Sequence, residues 1–307
     1  MKKKKSTILL LLLLSYSEGF SQPYVDIANF NYQRFSSHYK NDASSKNATD
    51  AYVFNMLLPK QFKNGNSLLF RINSEIIQST RTAETTISSN LSSISIAFGY
   101  QWVSTSQKWK STLFVLPKVA SDFEKSLSKN DWQYGALFLE NYKVNGRLQI
   151  KAGLYYNHEA FGNFFVPLLG VDWKATERWN FYGILPTNYK IEYNILKNKL
   201  YSGINYKAQT RSFHSTTTPT DEYVRYDEAV LKGFVDYFVF KNIVVNAEVG
   251  YSLGKNLLQY HSNSNDASNS NLIYTPLKRH PIFTIGLAYR IRKDFDKKNG
   301  RNRFISK

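Results

Sequence analysis

Residues 92–103 read Ser92-Ser93-Ile94-Ser95-Ile96-Ala97-Phe98-Gly99-Tyr100-Gln101-Trp102-Val103. Ile94, Ile96, Phe98, Tyr100 and Trp102 alternate with Ser93, Ser95, Ala97, Gly99 and Gln101. A strand sends successive side chains to opposite faces, so this stretch predicts one face against an apolar medium and the other against something wet or tightly packed. The medium is either a protein core or a lipid bilayer.

The same alternation returns along the chain. Leu148, Ile150, Ala152 and Leu154 oppose Gln149, Lys151 and Gly153. Ile243, Val245, Ala247, Val249, Tyr251 and Leu253 oppose Asn246, Glu248, Gly250 and Ser252. Phe283, Ile285, Leu287, Tyr289 and Ile291 oppose Thr284, Gly286, Ala288, Arg290 and Arg292. Faces that keep their character for about ten residues have the length of a tilted membrane strand. The pattern predicts strands near 24–35, 48–59, 67–78, 92–103, 110–119, 131–141, 147–157, 164–174, 178–185, 188–195, 199–213, 223–240, 243–259 and 279–292. Pro117 and Pro167 weaken two of them, and the short pair around Pro186 reads as an incomplete crossing. If that pair is one irregular excursion, the even number becomes twelve rather than fourteen.

The connections alternate between two lengths. Lys60–Asn66, Ser104–Lys108, Tyr142–Gly146, Thr176–Glu177, Leu196–Asn198 and Lys241–Asn242 are short turns. Ser36–Asn47, Ser79–Leu91, Ser121–Asn130, Phe213–Glu222 and Tyr260–Lys278 are longer and rich in Ser, Thr and Asn, with His158–Asn163 and the Pro186 turn as shorter members of the same set. Short turns on one rim and long loops on the other is the construction of single-chain outer-membrane barrels, with the turns periplasmic. The expected architecture is therefore an all-β, transmembrane, antiparallel up-and-down barrel of about fourteen strands.

The N-terminus agrees with export. Lys2–Lys5, the apolar run Thr7–Leu14 and the triplet Gly19-Phe20-Ser21 read as a signal peptide over 1–21. The run is far below the roughly 20 residues of a spanning helix. Residues 22–292 then form the barrel and 293–307 a basic tail. There is no cysteine, which excludes a disulfide framework, thiolate zinc sites, a cysteine nucleophile and lipoprotein attachment. The formal charge is +17; removing four Lys and Glu18 with the signal lowers it by three, to +14. A basic chain of this kind can meet nucleic acid or anionic lipid, but the signal argues against nucleic acid, and the charges read as solvated tail and loops.

Aromatic residues, 21 Phe and 22 Tyr among them, gather near strand ends. Tyr24, Phe35, Tyr52, Phe62, Tyr100, Trp102, Trp109, Trp132, Tyr155, Tyr156, Phe164, Trp173 and Trp179 suit the two membrane interfaces. On the opposite face, phase points Arg71, Asn73, Glu75, Gln101, Lys151, Lys190, Glu192, Lys207, Lys232, Asp236, Glu248, Arg290 and Arg292 inward. Such residues either line a water-filled lumen or pair into a network that plugs it.

Catalytic signals are weak. Gly250-Tyr251-Ser252-Leu253-Gly254 matches the nucleophile-elbow pattern, with Asp266 and His280 downstream. The elbow requires a strained strand-to-helix turn, whereas the alternation runs straight through. His38, His158, His214, His261 and His280 fall at the long-loop rim without metal-ligand spacing. No catalytic, cofactor or metal residue is assigned.

The signal ending in Ser21-Gln22, the strand that opens directly after it and the last strand Phe283-Thr284-Ile285-Gly286-Leu287-Ala288-Tyr289-Arg290 together resemble the outer-membrane β-barrel proteins of Gram-negative bacteria, more narrowly an uncharacterised barrel family known as a domain of unknown function. The resemblance implies an outer-membrane location and a barrel, and no activity. Such barrels usually finish on an aromatic read by the assembly machinery; here residues follow the last strand, and Phe295 or Phe304 are the candidates for that role. The expected partners are outer-membrane lipid and lipopolysaccharide, the barrel-assembly machinery and small solutes, with no cofactor and a monomeric barrel. Three functions follow: a porin-like small-solute pore with a slightly basic lumen, a structural or adhesive barrel with partner-binding loops, and, least supported, an outer-membrane hydrolase. No N-terminal plug precedes strand 1, which argues against a plugged transporter.

Overall fold

The computed structural model describes residues 23–40, 44–81, 90–216, 222–261 and 273–292. The signal segment, the basic tail, Asp266 and most of the longest loop lie outside the described residues. The strands are β1 (Tyr24–His38), β2 (Lys46–Gln61), β3 (Ser67–Arg81), β4 (Asn90–Val103), β5 (Trp109–Ser121), β6 (Trp132–Lys143), β7 (Leu148–Glu159), β8 (Gly162–Lys174), β9 (Trp179–Leu185), β10 (Asn188–Leu196), β11 (Leu200–Ser215), β12 (Glu222–Phe238), β13 (Ile243–His261), β14 (Ile273–Pro276) and β15 (Pro281–Arg292). A 3-10 turn, Lys129–Asp131, precedes β6.

From β1 to β14 each strand pairs antiparallel with the next, and β15 pairs with both β1 and β13, closing the sheet. β14 pairs with the upper half of β13 and β15 with its lower half, so the two are halves of one stave interrupted at Leu277–His280. The closed wall thus has fourteen staves, not twelve. Closure pairs every stave with two neighbours over the lower wall, the condition for strands to cross a bilayer, and the upper part of β8 lacks a partner on its β9 side.

Pro167 fits because β8 pairs with β9 only from Leu169 downward, so no partner on that side needs its missing N–H. Pro117 sits where the β4–β5 ladder is interrupted between Ser95–Lys118 and Phe98–Val115. The pair around Pro186 remains two staves, β9 and β10, but short ones.

The outer surface is apolar on almost every stave. Phe98, Val115, Phe165, Leu169, Val249, Phe283 and Ile285 are each more than half exposed, and Phe54, Ile76, Ile150 and Ile204 are exposed beside them. A soluble protein rarely exposes more than a few hundred Å² of contiguous apolar surface, so this band requires lipid. Four of the five tryptophans form a girdle at the short-turn rim: Trp102 beside Phe138, Trp109 against Tyr142 at 4.7 Å, Trp173 on Phe181 and Trp179 against Tyr193 at 4.8 Å. Tyr24, Phe35 and Tyr155 depart from the interface expectation. Phe35 is 3% exposed and stacks inside on His280, Tyr24 packs edge-on against Tyr182 across the barrel, and Tyr155 faces an interior chamber. They share the inward phase of their strands, which outranks nearness to a strand end.

One stave leaves the wall. β10 pairs with β11 only up to Lys207, and above that point β11 leans inward until His214 bridges Ser121 of β5 in parallel. Its outward-facing Ser212 and His214 then meet the inward faces of β5, β6 and β7. Near the long-loop rim the ring is therefore β11, β12, β13, β14, β1, β2, β3, β4 and β5. Buried Ala51, Ile77, Leu91, Ala120, Phe213, Val224, Tyr226 and Leu257 fill it.

Candidate functional site

The interior begins with strand phase. Most of the inward-phased polar residues read from the sequence meet an opposite charge. Lys151 pairs with Asp172 at 2.7 Å, Lys232 with Glu248 at 3.0 Å and Arg292 with Glu192 at 2.7 Å. Arg290 grips Asp236 on one side and Asp26 on the other. Glu75 pairs with Arg211 across the lumen, and Arg211 also reaches Glu228, which holds Lys255 at 3.3 Å. Lys190 donates to the Tyr24 hydroxyl at 3.2 Å and covers the Phe234 ring, while Gln101 donates to Thr112 at 2.9 Å. Most of the inner face is therefore a paired network.

Arg211, Glu228, Lys255, Asp172 and Asp26 belong to that network and were not singled out in the sequence. Arg211 and Glu228 share the phase of Lys207 and Lys232, so extending the count along the strand finds them. Lys255 is hidden by a bulge, because the β12–β13 register slips between Ala229 and Val230, opposite Ser252 to Gly254, and inverts the phase beyond.

Arg71, Asn73 and Lys207 do something different. They line a chamber of about 360 Å³ enclosed by the inner faces of β2–β7 and by β11. Arg71 and Lys207 are exposed although they point inward, so solvent reaches them inside the wall. Ser93 and Ser95 line the same chamber, whereas Ala97 is buried in a small cluster with Leu69 and Phe114. Gly99 makes this possible: a Cβ there would lie 2.5 Å from the Phe114 ring.

At the long-loop rim a polar latch holds β11 in place. Gln133 Nε2 donates to the Ser212 carbonyl at 3.0 Å, the Ser212 N–H donates to Glu159 at 2.7 Å, and Asp131 meets His214 Nδ1 at 2.8 Å. Asp122 accepts from the Thr216 N–H at 2.7 Å and from the Ser215 hydroxyl at 3.0 Å. Burial alone would raise the pKa of Asp122, but these donors and the Glu124 N–H outweigh it and hold it below the usual carboxylate value. Asp131 behaves likewise, with burial outweighed by Ser121, Ser128 and His214.

The hydrolase pattern does not assemble. β13 runs unbroken through Gly250–Gly254, and Ser252 is fully buried with its hydroxyl unbonded among the described residues. His280 accepts a main-chain bond from Ser252 through its carbonyl, but its ring lies on Phe35 and its Nδ1 on the Lys278 carbonyl. His158 meets Asn163 at 3.1 Å. His214 is 2% exposed, its ring against Tyr223, where no substrate reaches it. Among the described residues no group of His, Asp and Glu has the arrangement of a metal site.

Residues 21–290 match the family described as Domain of unknown function (DUF6268). No curated protein matches the sequence. Among solved structures, the fold is similar to an outer membrane channel (COG4313) of Pseudomonas putida F1, at 8% identity and TM-score 0.47 over 90% of this chain and 100% of that one. It is also similar to the TodX monoaromatic hydrocarbon channel, at 9% and 0.40 over 92% of each chain. The KdgM porin in complex with oligogalacturonate matches at 12% and 0.33, over 85% of this chain and 98% of that one.

Proposed function

The chain belongs to the DUF6268 family, a domain of unknown function, and from the barrel's geometry we propose that it is a narrow, gated small-solute channel of the Gram-negative outer membrane, held closed by β11 and mildly selective for anions. The observation that carries this reading is the chamber lined by Arg71 and Lys207. Two solvent-reached cations without an ion-pair partner among the described residues, inside a lipid-embedded wall, support a solute path. The paired network and the Phe213 cluster restrict that path, so conductance is expected to be small and intermittent compared with an open porin.

Purified protein in planar bilayers tests the proposal: brief, low-conductance openings with anion selectivity support it. A barrel that insulates even after Phe213→Ala overturns it. That outcome would favour a second reading, a structural or adhesive barrel whose loops bind a partner, for which the filled loop-end ring is the supporting observation. Removing residues 263–271 would then abolish partner binding while leaving assembly intact. The expected setting is a monomer in outer-membrane lipid and lipopolysaccharide, inserted by the barrel-assembly machinery after signal cleavage.

A further inference from the structure

Most interior cations hold a carboxylate, among them Lys118, Lys151, Arg211, Lys232, Lys255 and Arg290, and Lys190 donates to the Tyr24 hydroxyl. The side chains of Arg71 and Lys207 make no hydrogen bond or ion pair with any described residue. Both face the same chamber.

They also stand at one height. β3 and β11 both rise from the short-turn rim, and Glu75 meets Arg211 across the lumen. Arg71 lies four residues below Glu75, and Lys207 four below Arg211, about 13 Å of strand in each case. Both cations thus lie below the Glu75–Arg211 crossbar, on the lining of one chamber. The Arg71 guanidinium is steadied by the Phe114 ring, 5.6 Å from its centroid.

Among the described residues, no carboxylate of the chamber forms an ion pair with either cation. Those carboxylates are already engaged, Glu75 by Arg211 and Glu159 by Lys118 at 3.1 Å. Arg71, Lys118, Lys207 and Arg211 against Glu75 and Glu159 leave a charge of +2 in the lining. Unpaired charge within the membrane span is costly and points to a missing partner of opposite sign. Asn55, Asn73 and Ser95 add polar groups on one wall, while Phe114, Leu116 and Leu137 make another apolar. The volume lies toward the lower end of the range of small-molecule sites.

We propose that Arg71 and Lys207 together bind the carboxylate of a small organic monocarboxylate, whose apolar part rests on Phe114, Leu116 and Leu137. A guanidinium takes a carboxylate through two parallel hydrogen bonds, and the Lys207 ammonium supplies a second point of charge. This assignment names the solute class of the channel reading above and rests on it.

The test is calorimetric titration of the full barrel in detergent with benzoate, its uncharged analogue benzamide, and inorganic phosphate. Benzoate is expected to bind and to raise the unfolding temperature, and benzamide to do neither. Arg71→Gln and Lys207→Gln are each expected to weaken benzoate at least tenfold, about 1.4 kcal/mol, and Arg71→Lys to keep more affinity than Arg71→Gln. Equal binding of benzamide, equal binding of phosphate, or unchanged benzoate affinity in the double variant would overturn the assignment. The wild-type comparison of benzoate with benzamide decides even if a variant does not fold. Because binding is read without current, an insulating barrel that binds benzoate overturns the channel alone, and a conducting one that ignores benzoate overturns the site alone.

Discussion

Gly99, Phe114 and Arg71 form a stack in which each residue sets the position of the next: the absent Cβ lets the ring lie on the strand, and the ring supports the guanidinium. Gly99→Val is therefore expected to displace Phe114 and weaken anion selectivity while the barrel still assembles. Reversal potentials under a salt gradient measure this, and an unchanged value would contradict the stack's role. The buried Lys151–Asp172 pair offers a second comparison. Asp172→Asn strands a buried ammonium and is expected to cost about 3–5 kcal/mol in denaturant unfolding, whereas Lys151→Met with Asp172→Leu removes both charges and is expected to be nearly neutral. At this scale the sequence was legible wherever strand phase held. Lys151, Glu192 and Lys232 follow from counting by twos, as do Arg292 and Glu248, but which charge meets which does not, because phase gives a face and not a distance across the lumen. Lys255 was illegible, since one extra residue near Gly254 inverts the face.

β11 behaves as two elements sharing one strand. Up to Lys207 it is a wall stave between β10 and β12; beyond, it is a partition fastened to β5, β6 and β7. Its fastening is electrostatic at Asp122 and Asp131 and apolar at Phe213. Folding depresses both carboxylate pKa values, so their contribution is present above the unfolded value of about 4 and is lost as pH falls through the folded values. Openings in planar bilayers are accordingly expected to become more frequent below about pH 4, and Asp122→Asn with Asp131→Asn to bring that behaviour to neutral pH; pH-independent gating in both proteins would exclude the latch. Phe213→Ala leaves a cavity in the ring and is expected to cost about 3–5 kcal/mol, read as a lowered unfolding temperature. None of this could be read from residues 199–213. Their alternation is that of any half-buried strand, and the inward turn arises from two short neighbours, β9 and β10, ending early.

For the whole molecule, the stave count and the two rims were legible because they rest on repetition. Turn chemistry and period-two patterning recur around the wall, so a weak signal at single strands such as those carrying Pro117 and Pro167 does not change the closure. What fills the barrel was not legible, since lining and plug demand the same inward polar residues and differ only in whether opposite charges meet. The apolar band carries its own prediction. Charge placed at Phe98 or Ile285, mid-strand and lipid-facing, is expected to destabilise the barrel by about 2–4 kcal/mol for Arg in lipid vesicles, and much less in a soluble fold.

The nine-stave ring around Phe213 also bears on the cell's economy. A wide pore taxes its host with leakage that grows with every copy inserted, whereas a barrel stoppered by its own strands can be abundant without that leakage. Overproduction is expected to leave sensitivity to bulky hydrophilic antibiotics unchanged, so abundance of this protein is not limited by tolerance of a hole.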